Sequence, residues 1–217
     1  SEFSKVQNGG TSAITLDEGD VLIGADLTDG AHSVMLFSDA GKALRFDENE
    51  VRPMGRTARG VGGMKIRPED RIIAMIVAND EGQMVLTATE NGYGKRTPIA
   101  EYTMHGRNTM GMIAIATTER NGKVVAACLV DENDEVILLT KKGKLVRIPV
   151  CDIRICSRAT QGVKLVNLKD DDLVSVTPVK DQGGDDAEPA PEGDDGEGSE
   201  DGPEDPSPEE TPSLDDL

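Results

Sequence analysis

The chain has no tryptophan, two tyrosines and three phenylalanines among 217 residues. A core built from it has to be packed with Val, Ile, Leu, Met and Ala, and nothing offers a row of aromatic faces for stacking single-stranded bases. Met75, Met84, Met110 and Met112 are therefore assigned to the core as adaptable filler. Cysteine is equally scarce: Cys128, Cys151 and Cys156 are odd in number, form no C-x-x-C spacing and have no nearby histidine. That excludes a disulfide framework and a zinc site, and fits a reducing cytoplasm. No stretch approaches the roughly 18 consecutive apolar residues of a membrane span, and the start lacks the regions of a signal peptide.

Positive charge is missing from one end. Residues 181–217 hold 16 Asp or Glu, no Lys or Arg, six Pro and six Gly. Such a segment repels itself and has too little apolar surface to bury, so it is read as a disordered acidic tail. Outside it, residues 1–180 carry 25 acids against 23 bases, so most of the net charge of −18 belongs to the tail. A nearly neutral body still presents a basic face if its charges are segregated in space.

What the sequence does have is a repeat of 51 residues. Val34, Val85 and Val136 share a register, as do Gly41, Gly92 and Gly143, and Arg45, Arg96 and Arg147. The same offset relates Glu50, Glu101 and Asp152; Arg56, Arg107 and Arg158; and Gly60, Gly111 and Gly162. Residues 10–27 align with 60–77, the later part of a unit, so about three and a half units are visible. Self-similarity at this period marks a repeat architecture and governs how every other motif is read.

Within each unit the signals are strands and turns. Residues 33–38, 82–89 and 134–140 are β-rich and run into the turns DAGK, ENGY and KKGK, then into a second short run such as ALRF or LVRI. Each pair predicts a hairpin, most strongly at Asn91-Gly92, where both residues tolerate positive φ in a tight turn. MKI, IAIA and KLVNL predict a further strand, and IIAMIV, KVVAACLV and LVSVTPV another. Four strands per unit without helical periodicity predict an all-β fold, a propeller-like array of four-stranded blades over residues 1–180.

Phosphate-loop look-alikes dissolve in this frame. GYGKRT at 92–97 lacks the G-x-x-x-x-G-K-[ST] spacing and closes a hairpin instead of opening a helix, and GVGG at 60–63 stands where other units have GMIA and GVKL. His32 and His105 have no counterparts between units, and no nucleophile stands beside a base, so the segment itself is read as noncatalytic, without cofactor or metal. The repeated cations carry the functional expectation. Arg45, Arg96 and Arg147 follow the turns, with Lys42, Lys95, Lys141, Lys142 and Lys144 beside them, and together they predict a positive rim suited to duplex phosphates. Arg56, Arg107 and Arg158 each follow an acid by six residues and are left open between phosphate contact, an ion pair and capping of loop carbonyls.

FSDAGKALRFDENEVRPMGRTARGVGGMKI, TENGYGKRTPIAEY and IAIATTERNGKVVAACLV resemble the C-terminal domain of the bacterial DNA gyrase A protein, over essentially all of residues 4–180. The resemblance implies a β-pinwheel that wraps duplex DNA, beside a separate part of the gyrase A protein holding the catalytic tyrosine. It also implies a holoenzyme with the gyrase B protein, an ATP-dependent type II topoisomerase of two A and two B chains that uses Mg and introduces negative supercoils, in the cytoplasm at the nucleoid. The family's basic Q-R-R-G-G-K-G box is absent, so the chain is read as beginning after it. The C-terminal domain of the topoisomerase IV A protein is the nearest alternative, disfavoured by the regular 51-residue register. A propeller-like protein-interaction scaffold is the alternative from another class, separated from DNA wrapping by the salt dependence of duplex binding.

Overall fold

In a computed structural model, residues 10–180 are described. The acidic tail lies outside the described residues. No described helix is long and apolar enough to cross a membrane.

The predicted hairpins form. β1 (Ser33–Ser38) pairs with β2 (Lys42–Asp47), β4 (Met84–Thr89) with β5 (Tyr93–Pro98), and β8 (Glu135–Thr140) with β9 (Leu145–Pro149), all antiparallel. Each is closed by one turn geometry, in which the amide of Gly41, Gly92 or Gly143 bonds the carbonyl three residues back at 2.9–3.0 Å. Only the glycine takes positive φ; Asn91 does not. Its side-chain amide instead donates to the carbonyls of Glu119 and Arg120, at 3.2 and 3.1 Å. A short 3-10 turn follows each hairpin, at Glu48–Glu50, Ile99–Glu101 and Val150–Asp152.

The later strand of each unit pairs back on its own hairpin: β3 (Ile72–Ala78) on β1, β7 (Val124–Val130) on β4, and β11 (Leu173–Val179) on β8. The fourth strand comes from the next unit. β6 (Met112–Ile113) completes the first sheet against β2, and β10 (Val163–Lys164) completes the second against β5. The sheet orders are β3-β1-β2-β6, β10-β5-β4-β7 and β11-β8-β9. The blades are thus stitched by strand exchange, and the third has three strands among the described residues. Packing of β3 on β7 and of β7 on β11 puts these strands on the inner side, and β6 and β10 at the opposite edge.

Apolar alternation explains where the cores lie. Val85 and Leu86, neighbours on β4, point to opposite faces. Val85 joins Met35, Phe37, Ile99 and Tyr102 between the first and second sheets, and Leu86 joins Val136, Leu138, Ile153 and Leu173 between the second and third. Both faces of the middle sheet are covered, so β4 is buried at five consecutive positions, whereas β8 alternates between buried and partly exposed. Met84 and Met112 pack at the margins of these clusters and Met75 is partly buried, but Met110 is half exposed and is not core. The fully buried methionine is Met35.

The opening half unit takes its repeat position without forming a strand. The Thr15 amide and hydroxyl donate to Ala58 and Thr57 carbonyls at 3.2 and 2.9 Å, and Val21, Leu22 and Leu27 are exposed.

Candidate nucleic-acid interface

The cations predicted for a rim divide into three groups. Arg45 and Arg96 lie inside. Their side chains are 9 % and 4 % exposed, against 62 % for Arg147. Arg45 donates to the Ser33 hydroxyl at 2.8 Å, to the carbonyls of Ile99 and Tyr102 at 3.4 and 3.3 Å, and to the carboxylate of Glu81. Arg96 donates to the carbonyls of Ile153 and Cys151 at 2.6 and 3.2 Å and to Glu132 at 2.5 Å. In both cases the guanidinium of one hairpin fastens the 3-10 turn and leading acid of the next unit. A fork of donors in fixed geometry suits this task, and the Arg45 bond holds the Glu81 carboxyl below its usual range.

Lys95 is also interior, at the register of Leu44 and Val146, and its ammonium donates to the carbonyls of Ser157 and Arg158 at 2.5 Å each. No phosphate reaches a group buried this way, so the expected row of exposed cations is interrupted at Arg45, Lys95 and Arg96.

Burial pushes the Lys95 ammonium down to about 8 from its ordinary 10.5. Between those values the unfolded chain holds a proton that the folded chain has lost, so stability rises with pH across that window. The rise is about 1.4 kcal/mol per pH unit at most. We expect urea unfolding of the wild type and Lys95→Met to show the difference moving in favour of the wild type by about 2 kcal/mol between pH 8 and 10. A constant difference would mean that the amine is solvated.

The second group is half-buried. Arg107 and Arg158 donate to the carbonyls of Gly62 and Ile113, each at 2.8 Å, and Arg56 to that of Ser12 at 3.3 Å. Glu50 and Glu101 accept from the backbone amides of Arg107 and Arg158 in the following unit, at 3.0 Å each. Both repeated groups thus serve the joint between units through main-chain atoms, the carbonyl-capping option among those left open.

The third group faces solvent. Lys141, Lys142, Lys144 and Arg147 are exposed on the third hairpin and Lys42 is partly exposed on the first. Among the described residues Arg147 bonds only Glu135 of its own hairpin, and Lys141 stands 3.7 Å from Asp172. Exposed pairs of this kind are worth under about 1 kcal/mol and are readily exchanged for another anion.

Sequence reasoning missed Tyr93, Arg120 and Lys164. The Arg120 guanidinium lies 4.6 Å and the Lys164 ammonium 5.5 Å from the centre of the Tyr93 ring, at the outer edge of the second sheet. The available signal was Tyr93 itself, which replaces the lysine found at positions 42 and 144. Asp29, His32 and Glu48 also bring ligand-type atoms together, but Glu48 accepts from the amides of Gly30 and His32 at 3.0 and 2.7 Å, and the Asp29 amide donates to His32 Nδ1 at 3.4 Å. These bonds lock the loop entering β1.

Strand-exchanged blades with a 51-residue period, inner strands packed on one another and cations at the outer edges define a propeller-like repeat module. The family model described as "DNA gyrase C-terminal domain, beta-propeller" matches residues 1–29, 32–79, 83–130 and 134–180, and the chain belongs to that family. The DNA gyrase A protein of Klebsiella oxytoca is 52 % identical over 173 residues, 80 % of this chain and 20 % of the relative. That of Pseudomonas aeruginosa is 46 % identical over 193 residues, 88 % and 21 %. The chain thus spans about a fifth of these relatives' length. Among solved structures, the C-terminal domain of DNA topoisomerase IV matches with a TM-score of 0.78 at 25 % identity, covering 82 % of this chain and 56 % of that one. The DNA gyrase A C-terminal domain matches with 0.71 at 28 %, covering 78 % and 58 %.

Proposed function

We propose that this domain binds duplex DNA without sequence preference and wraps it along its outer sheet edges. Phosphate contacts position a duplex without reading it, so sequence enters only through ease of bending. The observation that carries the reading is the sorting of cations within a gyrase-family fold: once the buried arginines are assigned to the joints, the exposed Lys141, Lys142, Lys144, Arg147 and Lys164 stand on the third hairpin and on the outer strand of the second sheet. In the whole protein the domain serves a gyrase holoenzyme of two A and two B chains, acting with ATP and Mg in negative supercoiling in the bacterial cytoplasm, at the nucleoid.

The acidic tail competes for the same cations. Its 16 negative charges begin two residues after the end of β11, and tethering over so short a distance gives an effective concentration of order millimolar. The test is a salt titration of duplex binding by the full chain and by residues 1–180. Affinity is expected to fall steeply with salt in both, and the shorter chain is expected to bind more tightly, most clearly at low salt. Absence of duplex binding at low salt by either chain would favour the protein-interaction scaffold, and equal affinity throughout would leave the tail a solubility role.

A further inference from the structure

The first two sheets carry one lysine each at the cross-strand pair where hairpin meets exchanged strand, and it changes strands between them. In the first sheet Lys42 on β2 faces Ile113 on β6, and in the second Lys164 on β10 faces Tyr93 on β5. The third hairpin has Lys144 at the register of Lys42 and Tyr93. One positive charge at the outer edge is thus kept from unit to unit, although the residue that bears it is not.

The second sheet adds to this. Arg120 covers the Tyr93 ring, and no carboxylate pairs with Arg120 or Lys164 among the described residues; the guanidinium has only a 3.4 Å bond to the Gln161 side-chain oxygen besides the phenol. Two unpaired cations converging on one phenol hold it below its usual range, with the Arg120 hydrogen bond as the leading cause.

The arrangement is fixed from beneath. Asn121 is fully buried; its Oδ1 accepts from the Thr118 amide and hydroxyl at 2.7 and 3.0 Å, and its Nδ2 donates to the Ala116 carbonyl at 2.7 Å. Asn91, in the hairpin turn, bonds the Arg120 carbonyl itself. Hairpin turn, loop and exchanged strand are locked together before any ligand arrives, which lowers the cost of ordering on binding.

We propose that Tyr93, Arg120 and Lys164 form a preorganised phosphodiester-binding site for duplex DNA at the outer edge of the second sheet. The guanidinium fork matches two phosphate oxygens, the ammonium supplies a second charge, and the phenol donates a hydrogen bond while its ring face steadies both cations. A phosphate arriving between them relieves their mutual repulsion. The site rests on the DNA-binding reading of the domain and names where on the second sheet that binding is concentrated.

The test uses the full chain and a fluorescent duplex titrated over a range of salt. Arg120→Glu with Lys164→Glu is expected to weaken binding at least about tenfold at low salt and to flatten the slope of log affinity against log salt by about 2. The charge-matched pair Arg59→Glu with Arg67→Glu, whose arginines already face Asp17 and Glu69, is expected to lose much less. Wild type that fails to bind at low salt would overturn DNA binding by the domain. Wild type that binds, with Arg120→Glu/Lys164→Glu unchanged or with both double variants equally impaired, would overturn this site alone. A second readout needs no DNA. Tyr93 and Tyr102 are the only tyrosines, and Tyr102 is buried with its phenol pushed far up, so the first tyrosinate formed on alkaline titration is that of Tyr93. Its titration is expected to move upward in Arg120→Glu/Lys164→Glu, and an unmoved titration would remove the geometric basis of the site.

Discussion

Arg96→Ala is expected to lower stability by about 2–4 kcal/mol, whereas Arg147→Ala, at the same register one unit later, costs under about 1 kcal/mol. The first removes the donors that satisfy the carbonyls of Ile153 and Cys151 and cuts the link from the second hairpin to Glu132. Ile153 is itself in the core between the second and third sheets, so its carbonyl has no ready access to water. Out of a total of about 5–15 kcal/mol for a domain, such a loss leaves a marginal fold. Arg147 holds Glu135 beside it on an exposed hairpin, and both groups are solvated when the pair is cut. Urea unfolding of the two variants measures the contrast. If Arg96→Ala keeps wild-type stability and loses only duplex affinity, then Arg96 is a rim residue after all and the buried joint is wrong.

This contrast locates the limit of what the repeat conveys. Arg45, Arg96 and Arg147 are equivalent in sequence, so register alone assigns them one role. Their surroundings differ because each guanidinium is covered by the following unit, and the third hairpin has none among the described residues. The missing signal was the acid 36 residues later: Glu81 and Glu132 stand in register with each other, and the next position, 183, is glycine. An arginine whose partner recurs belongs to a joint; one whose partner is interrupted is available for other anions.

The hairpins and the inner strands were legible because five to seven β-prone residues between turn signals leave few alternatives. Strand exchange was not, since β6 and β10 are two residues each and no periodicity survives at that length. MKI, expected to be a strand, contributes only an isolated bridge from Met64 to Thr109. Lys95 was misplaced for a related reason. A lysine beside a turn reads as solvated, and only the crossing of residues 156–158 over β5 supplies the carbonyls that allow it inside. Tyr93 escaped notice because the charge it organises comes from positions 120 and 164, far along the chain.

The exchanged strand also sets the second large expected effect. Gly162 and Gly143 both lie at positive φ, +74° and +83°, where a side chain carries strain of about 1–3 kcal/mol. A Cβ at Gly143 would meet nothing within 4 Å, whereas one at Gly162 would stand 2.5 Å from the carbonyl oxygen of Gly94, on the strand that β10 must join. Backbone cannot rotate aside as a side-chain tip does, so Gly162→Ala adds about 1–3 kcal/mol of overpacking to the φ term. Stability is therefore expected to fall by about 2–6 kcal/mol for Gly162→Ala and by about 1–3 kcal/mol for Gly143→Ala. The damage should also be local in a measurable way. Leu165 and Val166 donate to the Gly92 carbonyl at 2.8 and 3.3 Å, and these bonds close the exchanged strand onto the second hairpin. In Gly162→Ala their amides are expected to lose protection from hydrogen exchange before those of β4 and β7, with Lys164 drawn away from Tyr93 and duplex affinity reduced accordingly. Equal losses of stability in the two variants, with uniform exchange, would mean that φ alone sets the cost and that the close approach of Gly162 to Gly94 contributes nothing.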